Sequence, residues 1–225
     1  MDNHVKDALI ASLDKFAAVS GKDSIKLEES LVEVFDKDLG FLEKVEEFDE
    51  VFDEHPSFEE LREVFFDLLM INFFSNDIKK LQEDYLDSEE WLRIEEETID
   101  RGTEMLNLLL YIVECHDENI KPDLGDFLKE FLLVEDDEFQ DEFHIYEDLI
   151  SNQQLAESSV EDICGHRAMI DLREEMEQLF VPFMVFFLQP KANDKIIKEL
   201  EEYSANKEFD IAVYSIIANF NAATA

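Results

Sequence analysis

The sequence predicts an all-α protein, and three observations lead to that prediction. Only 5 Gly and 4 Pro occur among 225 residues, too few for a fold rich in β-turns. Apolar residues recur at helical spacing along most of the chain, and runs with strand-like alternation are absent. Ser, Asn and Asp precede many apolar runs, as expected where helices begin. We predict about ten helices in a compact orthogonal bundle, with an irregular stack of helical hairpins as the alternative.

Four helices are predicted in the first third of the chain, followed by a short one around residues 78–85. Gly21 ends the first of them, and the pair His55-Pro56 ends the third, because the residue before a proline avoids the helical conformation. The four predicted helices begin at Asn3, Ser24, Asp38 and Ser57.

The longest helical pattern covers residues 88–116, and we predict that it forms one central helix. Ser88 can cap its start, and the segment from Met105 to Val113 is apolar nearly all round. A helix of that length would extend roughly 43 Å, at 1.5 Å per residue. The residues expected to be most buried are Leu106, Leu109, Ile112 and Val113.

A single domain is predicted for residues 1–220, with a candidate subdomain boundary at 117–123, where Asn119 and Pro122 interrupt the pattern. Later helices are predicted to begin near Leu124, Asp137, Ser158, Asn193 and Asn206. The apolar run Val181–Leu188 is predicted to be a short buried helix, with docking on a membrane or a partner as the alternative. Residues 221–225 are predicted to be a frayed tail.

The charge of the chain restricts its partners. It contains 58 acidic and 19 basic residues, a net charge of −39, and the excess is present in both halves. Such a surface repels nucleic acids and anionic lipids and attracts basic proteins. The acid-bearing N-terminal segment is unlike a signal peptide, no run reaches the ~20 apolar residues of a membrane helix, and two cysteines suit a reducing compartment. We therefore expect a cytoplasmic protein.

Metal chemistry is the competing interpretation. Its candidate ligands, which could converge on a metal, are Glu114, His116, His144, Glu147, Asp162 and His166. Di-iron helical bundles use Glu-x-x-His pairs, whereas this chain has the reverse order once, His144-x-x-Glu147. We therefore predict no catalytic residue, no metal and no cofactor, and keep a helical carboxylate/histidine metal-binding enzyme as the alternative.

Acidic stripes are the feature that most suggests a function. The simplest interpretation of these stripes is that they are the solvated faces of helices, and adaptation to a salty cytoplasm is another. We favour a non-catalytic interaction protein that binds a basic, nucleic-acid-binding protein, as an inhibitor, an immunity protein or a DNA mimic. It would not bind nucleic acid or membranes directly. The predicted partner-binding residues form two anionic rows: Glu43, Glu46, Glu47, Glu50, Asp53 and Glu54, and then Asp136, Asp137, Asp141, Glu142 and Asp148.

Overall fold

The computed structural model describes residues 1–75, 85, 87–132 and 145–222. These residues form thirteen α-helices and two short 3-10 helices, Pro56–Leu61 and Gln153–Glu157, and none of them lies in a strand. The α-helices are α1 Asn3–Ser20, α2 Ile25–Asp36, α3 Phe41–Glu54, α4 Arg62–Ser75, α5 Glu89–Thr98, α6 Met105–Glu118, α7 Leu124–Leu132, α8 Glu147–Ser151, α9 Val160–Arg167, α10 Glu174–Glu177, α11 Phe180–Leu188, α12 Asp194–Tyr203 and α13 Lys207–Ala222.

The predicted all-α, multi-helix bundle is confirmed for this part of the chain. Its helices are more numerous and shorter than expected, because the second half is divided into pieces as short as α8 and α10. Most of the short helix predicted around residues 78–85, and the start of the helix predicted from residue 137, lie outside the described residues.

Three helices, α4, α11 and α13, supply the centre of the core. In α13 every residue from Phe209 to Ala218 is buried, as expected of a helix that is surrounded by others. The long helix α1 lies along α13, and α11 packs against α13 as well. Phe180–Phe186 is buried throughout, which confirms the short buried helix predicted there. Pro182 fits because it occupies the first turn, where the missing N–H is not needed.

The single helix predicted for residues 88–116 is wrong. Helix α5 ends at Thr98 and α6 begins at Met105, with a loop between them in which Gly102 has φ +82°. That conformation is open to glycine and strained for other residues. Within α6, Leu109 and Ile112 are fully buried as predicted, whereas Leu106 and Val113 are only partly buried.

Arg101 fixes the first part of this loop against α3 and α4. Two guanidinium N–H groups donate to the carboxylate of Asp49 at 3.0 Å, and Nε donates to Glu63 at 3.1 Å. The guanidinium also lies 4.6 Å from the ring centroid of Phe66. The backbone N–H of Gly102 donates to Glu63 Oε2 at 2.7 Å. Side chains from two other helices thus hold the chain out of the helical path.

The buried carboxyl group of Asp67 fixes the second part of the loop. Its two oxygens accept the backbone N–H of Thr103 at 2.9 Å and the Thr103 hydroxyl. Thr103 Oγ1 in turn accepts the N–H of Met105 at 3.1 Å, which satisfies a donor in the first turn of α6. A Cβ on Gly102 would lie 2.6 Å from Asp67 Oδ1, so only glycine fits at this approach.

The ends of α6 and α13 meet. Helix α6 ends at Glu118, and Asn119 follows it in the left-handed conformation, within the interruption at 117–123; the subdomain boundary there stays a prediction. Residues 221 and 222 belong to α13, residues 223–225 lie outside the described part, and the fraying of the tail stays a prediction. Asn221 Nδ2 donates to the carbonyl of Pro190 at 2.7 Å, and its own carbonyl accepts from His116 Nε2 at 3.1 Å.

Two glycines with positive φ allow the contact with Asp67 to be tested. Gly102→Ala should be destabilising because of both the left-handed backbone, about 1–2 kcal/mol, and the clash with Asp67. Gly21→Ala is the matched control, because Gly21 has φ +73° but no atom within 4 Å of an added Cβ. In urea unfolding, Gly102→Ala should cost at least about 1 kcal/mol more than Gly21→Ala. Equal losses would show that the loop moves freely away from Asp67.

Two buried carboxyl groups make stability depend on pH. Burial raises the pKa of Asp67 well above its ordinary range, although hydrogen bonds from Thr103 oppose the shift. Burial also raises the pKa of Asp210, to about 7, against the hydrogen bond from Ser204. Over the interval between the unfolded and folded pKa values, the folded protein binds protons that the unfolded chain releases, so stability falls as pH rises.

The free energy of unfolding should therefore increase as the pH falls from about 7 to about 5. Each such carboxyl contributes up to about 1.4 kcal/mol per pH unit. Asp210→Asn should make the dependence shallower, whereas Asp171→Asn, which removes an exposed carboxylate, should preserve it. Chemical denaturation across this range measures both slopes. A constant or decreasing stability on acidification to pH 5 would contradict the expectation.

Candidate functional site

The predicted acidic row on α3 divides into carboxylates that are used within the protein and carboxylates that are not. Glu43 accepts the N–H of Gly40 at 3.0 Å and so caps the helix that carries it. Glu47 accepts from Lys37 Nζ at 2.7 Å, and Asp53 accepts from Arg62 Nη2 at 2.6 Å. These three stabilise the fold locally, and their charges are partly satisfied.

The other three members of that row, Glu46, Glu50 and Glu54, are exposed and follow one another at intervals of four residues, on one side of α3. Within the described residues they form no ion pair and accept no hydrogen bond. Arg93 acts on Glu46 only at longer range, since its guanidinium is hydrogen-bonded to Glu97. We call Glu46, Glu50 and Glu54 the outer row.

A groove of about 230 Å³ lies beside the outer row, between α2 and α3. Lys37 spans it, with Nζ 2.7 Å from Glu47 and 3.4 Å from Glu33. The sequence does not point to Glu33, because the spacing of residues along one helix cannot show that α2 lies next to α3. The groove is lined by Ser30, Glu33, Val34, Lys37, Glu47, Glu50, Val51 and Glu54. One cation among four carboxylates leaves the groove strongly negative.

The second predicted row is largely outside the described residues, which exclude Asp136, Asp137, Asp141 and Glu142. Its remaining member, Asp148, is half-buried, and its carboxylate accepts the backbone N–H of Arg173 at 2.9 Å. Asp148 therefore connects α8 to the segment before α10. The pairing of two anionic rows stays a prediction.

The distribution of cations explains why the surface remains acidic. Each of the five arginines forms an ion pair with a carboxylate, for example Arg62 with Asp53 and Arg173 with Glu147. Other carboxylates lie close enough to repel one another. The pKa of Glu28, for example, is raised first by burial and then by repulsion from Asp14 and Glu29. The guanidinium groups are thus all engaged by carboxylates of the same chain. Because acidic residues outnumber basic ones by 58 to 19, a large negative charge remains on the protein.

The candidate metal ligands have separate partners. His116 donates to the end of α13, and His166 Nε2 donates to Asn152 Oδ1 at 2.7 Å. Glu147 forms its ion pair with Arg173, and Asp162 accepts the hydroxyl of Ser159 at 2.7 Å. Glu114 is exposed, and His144 lies outside the described residues. Over residues 1–75, 85, 87–132 and 145–222, no three His, Cys, Asp or Glu side chains are arranged to hold a metal ion.

Sequence reasoning did not anticipate a pair of histidines, His4 and His116, whose ring centroids lie 5.5 Å apart. His4 Nδ1 donates to the carbonyl of Phe220 at 3.0 Å, so both rings bind carbonyls at the C-terminal end of α13. Asp2 and Asp117 line the same cavity, of about 230 Å³. Because the donors are used on backbone carbonyls that have no partner within the helix, the arrangement stabilises the end of α13.

No protein-family model, curated protein or solved structure matches this chain. In the part of the chain that the structure describes, every helix is too short or too polar to cross a bilayer. Function is therefore inferred from the charge, burial and contacts of the chain's own residues.

Repulsion among the carboxylates should make stability depend on salt. The melting temperature should rise as sodium chloride increases from about 0.01 M to about 0.15 M, because the Debye length falls from about 30 Å to about 8 Å. Choline chloride should give a similar rise, since screening does not require a bound metal cation. A melting temperature that is flat or falling over this range would show that repulsion contributes little to stability.

Proposed function

We propose that this protein is a non-catalytic, cytoplasmic interaction protein whose acidic surface binds a basic protein. The observation that carries the proposal is the outer row, Glu46, Glu50 and Glu54, which has no ion pair among the described residues. Like charges one turn apart on a helix destabilise it by about 0.2–0.5 kcal/mol per pair. A partner that neutralises the row would remove this repulsion and would bind the folded state preferentially.

The charge arrangement favours a partner that normally binds phosphates. Successive carboxylates of the outer row rise about 6 Å along α3, at 1.5 Å per residue, so they present a regular line of anions. A nuclease or another nucleic-acid-binding protein carries the complementary basic surface. Two forms of the function are consistent with this: an inhibitor or immunity protein that caps a basic enzyme, and a DNA mimic that occupies a nucleic-acid site.

Such a surface would act mainly on the rate at which the partner associates. Long-range attraction between opposite charges accelerates association and makes the rate fall with added salt. The groove beside the outer row adds local shape, since Val34 and Val51 lie among its carboxylates and could contact the stem of a lysine or arginine. Cys115 and Cys164 are both buried and do not form a disulfide with each other, which suits the reducing cytoplasm proposed here.

The test is affinity capture at physiological salt with a matched pair of charge-reversal variants. The first carries Glu46→Lys, Glu50→Lys and Glu54→Lys. The second carries Glu118→Lys, Asp171→Lys and Glu201→Lys, which reverse three exposed carboxylates that lie outside the groove and form no ion pair with any other residue that the structure describes. Quantitative mass spectrometry of the captured proteins should show at least one basic protein that the first variant loses, by about tenfold or more, and the second retains.

The purified partner should then associate with the wild-type protein more slowly as salt is added, and the first variant should flatten that dependence. If both variants capture the same proteins as the wild type, or lose the same proteins equally, the acidity acts only as a solvated surface. The proposed function would then be wrong.

A further inference from the structure

A cavity on another side of the molecule is lined by a carboxyl group, that of Asp210, of which one oxygen is hydrogen-bonded within the protein. It has a volume of about 510 Å³ and lies between α9, the segment joining α10 to α11, and the turn from α12 to α13. Its titratable and charged lining comprises Cys164, Arg167, Glu177, Tyr203 and Asp210, and its neutral polar side chains are Gln178, Ser204 and Asn206. Its size lies within the range of small-molecule sites, roughly 300–1,000 Å³.

Asp210 is the most deeply buried acid of this lining. It stands in the first turn of α13, and only 4% of its surface is exposed. Its Oδ2 accepts the hydroxyl of Ser204, whose oxygen also accepts the N–H of Asn206 at 3.0 Å. Its Oδ1 accepts no hydrogen bond from any residue that the structure describes. Asp210 lines the cavity, which is therefore the route by which a donor from a ligand could reach this oxygen.

The neighbouring charges leave this acceptor available to a ligand. Arg167 is the cation that acts on Asp210, but its guanidinium hydrogen bonds go to the carbonyl of Ile170 and to the carbonyl and side chain of Glu177. Cys164 adds no charge, because burial raises the pKa of its thiol to about 12. With Asp210 ionised, the lining carries one cation and two anions.

We propose that this cavity binds an organic cation, through an ammonium or guanidinium group that donates a hydrogen bond to Asp210 Oδ1. A charge-assisted hydrogen bond to a carboxylate is short and strong, and here it would satisfy an acceptor that the fold leaves unused. The cation could be a free amine or a lysine or arginine side chain of a protein. Only the second source depends on the proposed function, of which it would then be the specific contact.

Binding should depend on pH because Asp210 must be ionised. Burial raises its pKa to about 7, and the Ser204 hydroxyl and Arg167 oppose that shift. A bound cation favours the ionised form, so affinity should rise from about pH 6 to about pH 8 with release of a proton. The other titratable or charged side chains lining the cavity are Arg167 and Cys164 from α9, Glu177 at the end of α10, and Tyr203 from α12.

The experiment is an NMR titration of the full chain with n-butylammonium, with n-butanol as the uncharged probe of the same shape. The ammonium should give saturable shifts at the amides of residues 164–168 and 203–210. Asp210→Asn should weaken its binding about tenfold or more, as expected for loss of a charged hydrogen-bond partner. Asp171→Asn, which removes one exposed charge outside the cavity, should leave the affinity unchanged.

A second variant guards against a folding defect in Asp210→Asn. Ala168 is an exposed residue of the lining, so Ala168→Trp should obstruct the cavity and abolish the ammonium shifts while Asp210 keeps its effect on stability between pH 5 and 7. Equal shifts from the alcohol and the ammonium, equal affinity of Asp210→Asn and wild type, or shifts spread over the acidic surface without saturation would each overturn the proposal.

Two outcomes of capture separate the sources of the cation. If Asp210→Asn loses both n-butylammonium and the basic protein captured through the outer row, the ligand is a side chain of that partner. If it loses only n-butylammonium, the ligand is a free amine. Failure of the capture experiment leaves the ammonium titration intact, so the proposed function and this site can fail separately.

Discussion

The hydrogen bonds from Thr103 to the buried carboxyl of Asp67 are the interaction on which the middle of the fold depends. Asp67 lies at the centre of α4, one of the most apolar helices that the structure describes, and Thr103 supplies its hydrogen bonds there. Without those bonds, burying the carboxyl group would cost a large part of the free energy of folding. Satisfying that acid requires the backbone of residue 103 to leave the helical path. Gly102 makes the departure sterically feasible, and the start of α6 then follows from the Thr103 cap. One buried group thereby determines where two helices separate.

The same constraint extends to the whole protein, because acids greatly outnumber bases. Arg101 serves partly buried carboxylates, since it lies between Asp49 and Glu63, whereas Arg93 pairs with Glu97 on the surface. Other partly buried carboxylates use neutral donors, such as the backbone N–H that Asp148 accepts and the hydroxyl that Asp210 accepts. Neutral donors satisfy hydrogen-bonding capacity without cancelling charge. The folded protein therefore keeps its net charge, most of which lies on exposed helix faces.

Periodicity was sufficient to predict the helical class, the buried segment at 180–186 and the burial of Leu109 and Ile112, since each depends on local apolar spacing. It failed at residues 99–104 because the pattern continues through Gly102, and only the distant Asp67 shows why the helix stops. The burial of most of α13 was not predictable either, because it depends on which helices cover it, among them α1 and α11. The role of Asp210 was not predictable from spacing, because its cavity is assembled from α9, α10 and α12 as well as α13.

Charge and cavity would contribute to recognition in different ways. The outer row can attract any basic surface, and such attraction raises association rates more than it discriminates between partners. Discrimination requires a group whose satisfaction depends on one ligand geometry, and the carboxyl group of Asp210, a buried residue that lines the cavity, would have that property in the proposed site. A ligand that enters without a donor would leave Asp210 Oδ1 unpaired, and an anion would be repelled. Under the two proposals, the acidic surface would set how often partners are encountered, and the Asp210 cavity would select among them.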